Sequence, residues 1–267
     1  MTEPGKLRLG GMALRNGLLV HGPTHWAAAV RTPDGEIRVG SGRKPRVRAL
    51  DGVPGVRGVV RLAESFAVIP LVKRGLPEAR LPFENPGVIA TAAGASLAGA
   101  ALRRRVGGTV GEATAAMLSL APAMLALRGG DLAAYHGVEH KAIAAYEAPE
   151  DTDAADTAKE HDRCGSHLVA PMLAANVTGA LVLKRLLERP NALAGSAVAV
   201  ASTAVAVEVF AWSERNAGTR MARALRRPGF EIQRLWGTRE PDERQLEVGR
   251  AALAEILRVE APAEMGS

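Results

Sequence analysis

Four apolar segments, 87–102, 107–127, 168–183 and 193–212, constrain this 267-residue chain more than any other feature. A helix needs about 20 mainly apolar residues to cross a bilayer. The second and fourth segments reach that length, and the first and third fall short. Their side chains are small, as in "GVIATAAGASLAGAA", which suits close helix contacts in lipid. Aromatic residues make up only 3% of the chain, so stability must come from close packing rather than bulky side chains. Tilt, bilayer thinning or snorkelling arginines accommodate the shorter spans. A soluble Ala-rich bundle, or an oligomer with its apolar helices inside, satisfies the same pattern.

The expected fold class is mainly α. A bundle of four Ala-rich hydrophobic helices carries an N-terminal β-hairpin region and a C-terminal helical segment. The expected units are 1–86, basic; 87–213, the hydrophobic bundle with a His/Cys loop at 129–167; and 214–267, packing back on the first. Thr32-Pro33-Asp34-Gly35 has the turn chemistry of a hairpin. Residues 55–75 have helical apolar spacing broken near Pro70. In the last unit, Pro228-Gly229 reads as a turn and Asp242 as the N-cap of a final helix with Leu246, Val248, Ala252 and Leu253 on one face.

Charge is unevenly distributed. Residues 1–86 hold 14 Lys/Arg against 7 Asp/Glu, whereas residues 129–166 hold 3 against 9. The basic stretch "RKPRVR" has no interleaved aromatics to stack on bases, so nucleic acid is not an expected partner. If all four segments cross, both termini and the acidic loop share one side, and the basic N-terminal region places that side in the cytoplasm. Arg103-Arg104-Arg105 then faces outward, against the same rule. No cleavable signal is visible at the N-terminus, and a single cysteine precludes an intramolecular disulfide.

Four of the six histidines, His136, His140, His161 and His167, fall within 32 residues together with Cys164. On a helix, His136 and His140 lie one turn apart on one face, with Glu139 beside them. H-x-x-E-H is the inverted form of a zinc-protease motif, in which two His bind zinc and Glu serves as base. In "HDRCGSH", His161 and Cys164 are three apart, and thiolate with imidazole favours zinc or iron. The expected metal ligands are His136, His140, His161 and Cys164, with zinc as the ion. Glu139 is the expected base, and Lys141 or Arg163 would stabilise developing negative charge. Asp151, Asp153 and Asp156 lack the loop glycine and closing Glu of a calcium loop and read as a solvated linker.

"YHGVEHKAIAAYE" followed by "HDRCGSH", with "GGMALRNGLLVHGP", "RGVVRLAES" and "PGFEIQRLWGTREPDERQLEVGRAAL", resembles the YqhQ-like proteins of bacteria. The resemblance implies a protein of the cytoplasmic membrane with a metal-dependent activity, and carries metal positions onto His136, Glu139, His140, His161 and Cys164. The chain departs from that pattern at Asn16, where Glu is common, and at His21, where Arg is frequent. His21 and His25 are either substitute ligands or packing residues. Two functions follow as expectations. One is a membrane-associated hydrolase using a metal-activated water on an unknown substrate, with peptide, lipid head group and phosphoester all open. The other is a membrane scaffold or regulator, bound to lipid or a partner and open to homo-oligomer formation, in which four ligands close a structural site.

Overall fold

The structure is a computed structural model that describes residues 6–50, 53, 55–128, 130–149, 152–188 and 191–261. Asp151 lies outside the described residues. The N-terminal part is larger than the single hairpin expected. β1 (Gly10–Leu14), β2 (Gly17–His21), β3 (His25–Arg31) and β4 (Ile37–Arg43) form an antiparallel meander in that order. The Thr32–Gly35 turn does join β3 to β4: Gly35 N donates to Thr32 O at 3.0 Å, and its φ of 92° suits glycine.

The β1–β2 hairpin carries little sequence signal, because its loop is only Arg15–Asn16, with neither Gly nor Pro. Asn16 fastens it. Its Nδ2 donates to Arg31 O and Glu78 O, both at 3.1 Å, and its Oδ1 accepts from Arg80 N at 2.9 Å. The amide therefore joins three chain segments and is not a position built for a catalytic carboxylate.

The first helices are α1 (Val56–Ala67) and α2 (Ile69–Gly75), separated at Val68 just ahead of Pro70. α3 (Pro86–Arg105) is followed by α4 (Gly108–Leu118) and α5 (Ala121–Arg128). The second apolar segment is thus two helices, because Pro122 has no N–H to give the carbonyl of Leu118. Then come α6 (Asp131–Glu147), α7 (Val169–Leu186), α8 (Ala192–Arg215), α9 (Arg220–Ile232) and α10 (Glu243–Glu260).

Both faces of the sheet are covered. Ala13, Leu18, Val20, Ala27 and Ala29 share a core with α6 and α10, and Leu14, Leu19, Trp26, Ala28 and Val30 share one with α2. Alternation along each strand sends neighbours to opposite faces, so burial of both explains why "GLLV" and "WAAAV" read as unbroken apolar runs. α10 packs on β2, β3, β4 and α6. Its N-cap is Asp242, which accepts from Gln245 N at 2.8 Å while Gln245 Oε1 accepts from Asp242 N at 3.0 Å. Leu246, Val248, Ala252 and Ile256 are buried and Leu253 partly so.

The apolar helices α3, α4, α7 and α8 pack in that order, as a row of neighbours. Among the described residues, three stretches are long and apolar enough to cross a membrane: 108–128, 165–186 and 192–215, of 21, 22 and 24 residues. The third sequence segment reaches this length, contrary to expectation, because the 3₁₀ turn Gly165–Leu168 runs directly into α7. Only 22%, 6% and 11% of these stretches is buried, so their apolar side chains point outward. α3 is not among them; its Gly, Ala, Ser and Thr residues and terminal Arg triplet keep its hydropathy low. Buried Glu112 ties the row together, accepting from Arg103 Nε at 3.0 Å and pairing with Lys184 Nζ at 2.7 Å.

Pro228-Gly229 does not form a turn. Both residues lie inside α9, and a Cβ on Gly229 would come within 2.5 Å of His167 Nδ1. The glycine is there for close packing against the loop that leads into α7.

Two expectations follow. Asn16→Ala removes three neutral hydrogen bonds, all to backbone, and lowers stability by about 1–3 kcal/mol in thermal or denaturant unfolding. His21 is buried beside the Lys44 ammonium, 3.3 Å from its Nδ1, and these two effects lower its pKa from 6.5 to about 4. The unfolded chain takes up a proton in that window that the folded chain refuses, so stability is full above the upper value and lost as pH falls toward the lower. Melts at a series of pH values should show this slope, and His21→Gln should flatten it.

Candidate metal centre

α6 is buried around most of its circumference, which leaves its polar side chains to be satisfied by other parts of the chain. Leu132, Tyr135, Val138 and Ile143 enter the core it shares with the sheet and α10. His136 and His140 turn toward the loop after α6 and the segment after α9. His136 Nδ1–H donates to Gly237 O at 2.7 Å, and His140 Nδ1–H donates to Lys159 O at 2.6 Å. A carbonyl can only accept, so both rings carry the proton on Nδ1 and keep a lone pair on Nε2. This is the arrangement found for histidines that bind metals.

Cys164 completes the group. Its Sγ lies 3.4 Å from His136 Nε2 and accepts from Ser166 N at 3.5 Å. One ligand atom from each of His136, His140 and Cys164 lies within 4.8 Å of the others. Ligand atoms around a tetrahedral zinc ion are roughly 3.3–3.8 Å apart, so small side-chain rotations bring the three onto one ion. Burial pushes the His140 pKa down, and His136 adds to this, keeping the imidazole neutral as a ligand requires.

Two devices position these residues. The first is Gln233, which is fully buried. Its Oε1 accepts from His161 N at 2.8 Å, and its Nε2 donates to Ser166 Oγ at 2.9 Å and His161 O at 3.2 Å. One side chain thus fixes both ends of "HDRCGS". His167, with Nδ1–H donating to Arg226 O at 2.9 Å and its ring stacked on Phe210, anchors the same loop to α9 and α8. The second device is a π-helical turn, Gln233–Gly237, closed by Thr238 N donating to Gln233 O at 3.0 Å. It carries the carbonyl of Gly237 to His136. The segment lies close against α6 because Gly137 has no Cβ; one would fall 2.3 Å from Arg239 O.

The expected site residues divide. His136, His140 and Cys164 come together. His161 does not join them: its Nε2 lies 3.5 Å from Glu147 Oε2 and its Nδ1 accepts from Arg163 N at 3.2 Å. Arg163 turns its guanidinium to the same Glu147. Burial pushes the Glu147 carboxyl up, but His161 and Arg163 outweigh it and hold the group below its usual range. Lys141 is engaged elsewhere, donating to Thr157 O at 2.5 Å and Ala155 O at 3.1 Å and pairing with Glu240 at 2.7 Å. Its ammonium ties down residues 154–157 and is not available to a developing charge. Asp153 caps the short turn there, accepting from Ala155 N at 2.8 Å, and pairs with Arg250. His21 and His25 stand apart from the group, His21 against Lys44 and His25 with Nδ1 2.8 Å from Thr24 Oγ1.

Glu139 is 8% exposed, and among the described residues its carboxylate receives no hydrogen bond. Burial raises its pKa, against the opposing influence of His136 and His161. It lies against β1, where a Cβ on Gly11 would come within 2.8 Å of its Oε1. Gln233, Glu147 and the two carbonyls from Lys159 and Gly237 were not foreseen. A lone Gln carries no motif, and a backbone carbonyl carries no sequence signal.

The model of one family, described as "Protein of unknown function (DUF1385)", matches residues 131–259. That range runs from α6 through α10 and contains all three residues of the group, while the N-terminal sheet lies outside it. No curated protein and no solved structure matches the chain.

Gln233→Ala leaves the His161 peptide and the Ser166 hydroxyl without their partners. It should destabilise the protein by about 2–4 kcal/mol, measured by denaturant unfolding. A loss below about 0.5 kcal/mol would show that the loop does not depend on this amide.

Proposed function

We propose that the chain is a membrane-associated, metal-dependent hydrolase, with His136, His140 and Cys164 holding a divalent ion, zinc by the chemistry of the donors. The observation that carries this reading is the pair of Nδ1–H···O=C bonds, which leave two Nε2 lone pairs beside one thiol. Three protein ligands leave a coordination position open, as catalytic sites do; the turning of His161 toward Glu147 speaks against a closed four-ligand structural site. A zinc ion there supplies a Lewis acid that lowers the pKa of water toward about 7.

This chain's own residues supply the rest. Glu139 serves as a proton carrier: burial raises its pKa, which favours taking a proton at its carboxylate oxygen. Gly11 gives that carboxylate its place beside β1. Glu147 and Arg163 orient His161 at the edge of the group. The outward-facing apolar stretches support residence in a bilayer. The resemblance to YqhQ-like proteins supports the same assignment, with the site on the cytoplasmic side of a bacterial membrane.

Elemental analysis of untagged protein tests the ligand set. The wild type should carry about one zinc per chain. His136→Ala, His140→Ala and Cys164→Ser should lose it, while His161→Ala should keep it. Glu139→Gln should keep the metal and fail to complement a deletion strain. Zinc retained in Cys164→Ser, or lost in His161→Ala, would contradict the assignment.

A further inference from the structure

A cleft of about 990 Å³ opens beside the metal group, between α1, α8, α9 and the 160–163 loop, and His161 forms part of its wall. Six arginines line it, Arg8, Arg57, Arg61, Arg163, Arg215 and Arg226, contributed by separate parts of the chain. Val207 and Phe210 from α8 and Phe230 from α9 add apolar surface to the same cleft. Val207 and Phe210 lie on α8, one of the stretches long and apolar enough to cross a membrane.

Two arginines in the cleft have bonding capacity to spare. Arg226 Nε is one of two buried side-chain polar atoms without a partner among the described residues, and its NH1 reaches Asp162 at only 3.5 Å. A buried donor without an acceptor is costly and calls for one. Arg215, at the end of α8, is exposed and makes no ion pair among the described residues. The five acids of the cleft are paired: Glu214 with Arg8, Glu208 with Arg57, Glu147 with Arg163, Glu160 with Lys159 and, most loosely, Asp162 with Arg226. Guanidinium groups converging from several directions match the oxygens of a phosphate better than the two of a carboxylate.

We propose that this cleft binds a phosphate group, with Arg226 and Arg215 as its principal donors, and that the phosphate belongs to an amphiphile whose apolar part lies along α8. Phosphate binding stands on the arginines alone. That the amphiphile is the substrate rests on the hydrolase reading, since His161 links the cleft to His140, their ring centroids 5.7 Å apart.

The test is calorimetric titration of the full chain in neutral detergent with three probes: dihexanoyl phosphatidic acid, inorganic phosphate and hexanoate. The phosphatidic acid should bind at least about tenfold more tightly than phosphate, and hexanoate not measurably. Arg226→Gln and Arg215→Gln should each weaken the phosphatidic acid by about tenfold with zinc content unchanged. Absence of binding, equal binding of hexanoate, or wild-type affinity in both variants would overturn the proposal. Phosphate binding as tightly as the lipid would overturn the amphiphile and leave a free phosphate as the ligand. Arg215 is exposed at a helix end, so its variant reads binding even if Arg226→Gln fails to fold. Binding that persists in metal-free Cys164→Ser would separate this cleft from any failure of the metal assignment.

Discussion

A buried helix with two imidazoles must find an acceptor for each ring N–H, and the architecture around α6 follows from that requirement. The carbonyl of Lys159 meets His140 and the carbonyl of Gly237 meets His136. To deliver the first, the loop after α6 folds back along the helix, held by Lys141 and Gln233. To deliver the second, α9 opens into a π turn and passes so close to α6 that residue 137 must be glycine. Fixing both Nδ1 protons leaves both Nε2 atoms as lone-pair donors facing Cys164. The polar demands of burial and the needs of a metal ligand are met by the same bonds.

The apolar helices and the candidate site meet at the N-terminus of α7 and the C-terminus of α8. The 3₁₀ turn that follows Cys164 begins the apolar stretch of α7, and α8 ends beside it with Phe210 stacked on His167. The soluble-looking layer of sheet, α6 and α10 is thereby fixed to the row of apolar helices. The arginine-lined cleft opens at that junction.

Much of this was legible in the sequence where local chemistry decides local structure. Asp242 capped as expected, Pro70 broke a helix, and the turn at Thr32–Gly35 closed a hairpin. His136 and His140, four apart on α6, could be placed on one helix face from their spacing, whereas Cys164 lies beyond that helix and comes near them only through the fold. What could not be read were the interactions that span the chain. Gln233 is 72 residues from His161 and looks like any surface glutamine. His161 shares a short motif with Cys164, yet Glu147, at the end of α6, draws it away. Pro228-Gly229 has turn composition, but the glycine answers a packing demand from His167 that only the folded chain reveals. Asn16 stood out against a resemblance and proved to be a clamp between strands.

The central claim is that two Nε2 atoms and one sulfur share an ion. X-ray absorption at the zinc edge of untagged protein reads that shell directly. The account requires two imidazole nitrogens at about 2.0–2.1 Å, one sulfur at about 2.3 Å and one further light atom. A shell without sulfur, or a protein that purifies without metal and takes up none, would contradict it.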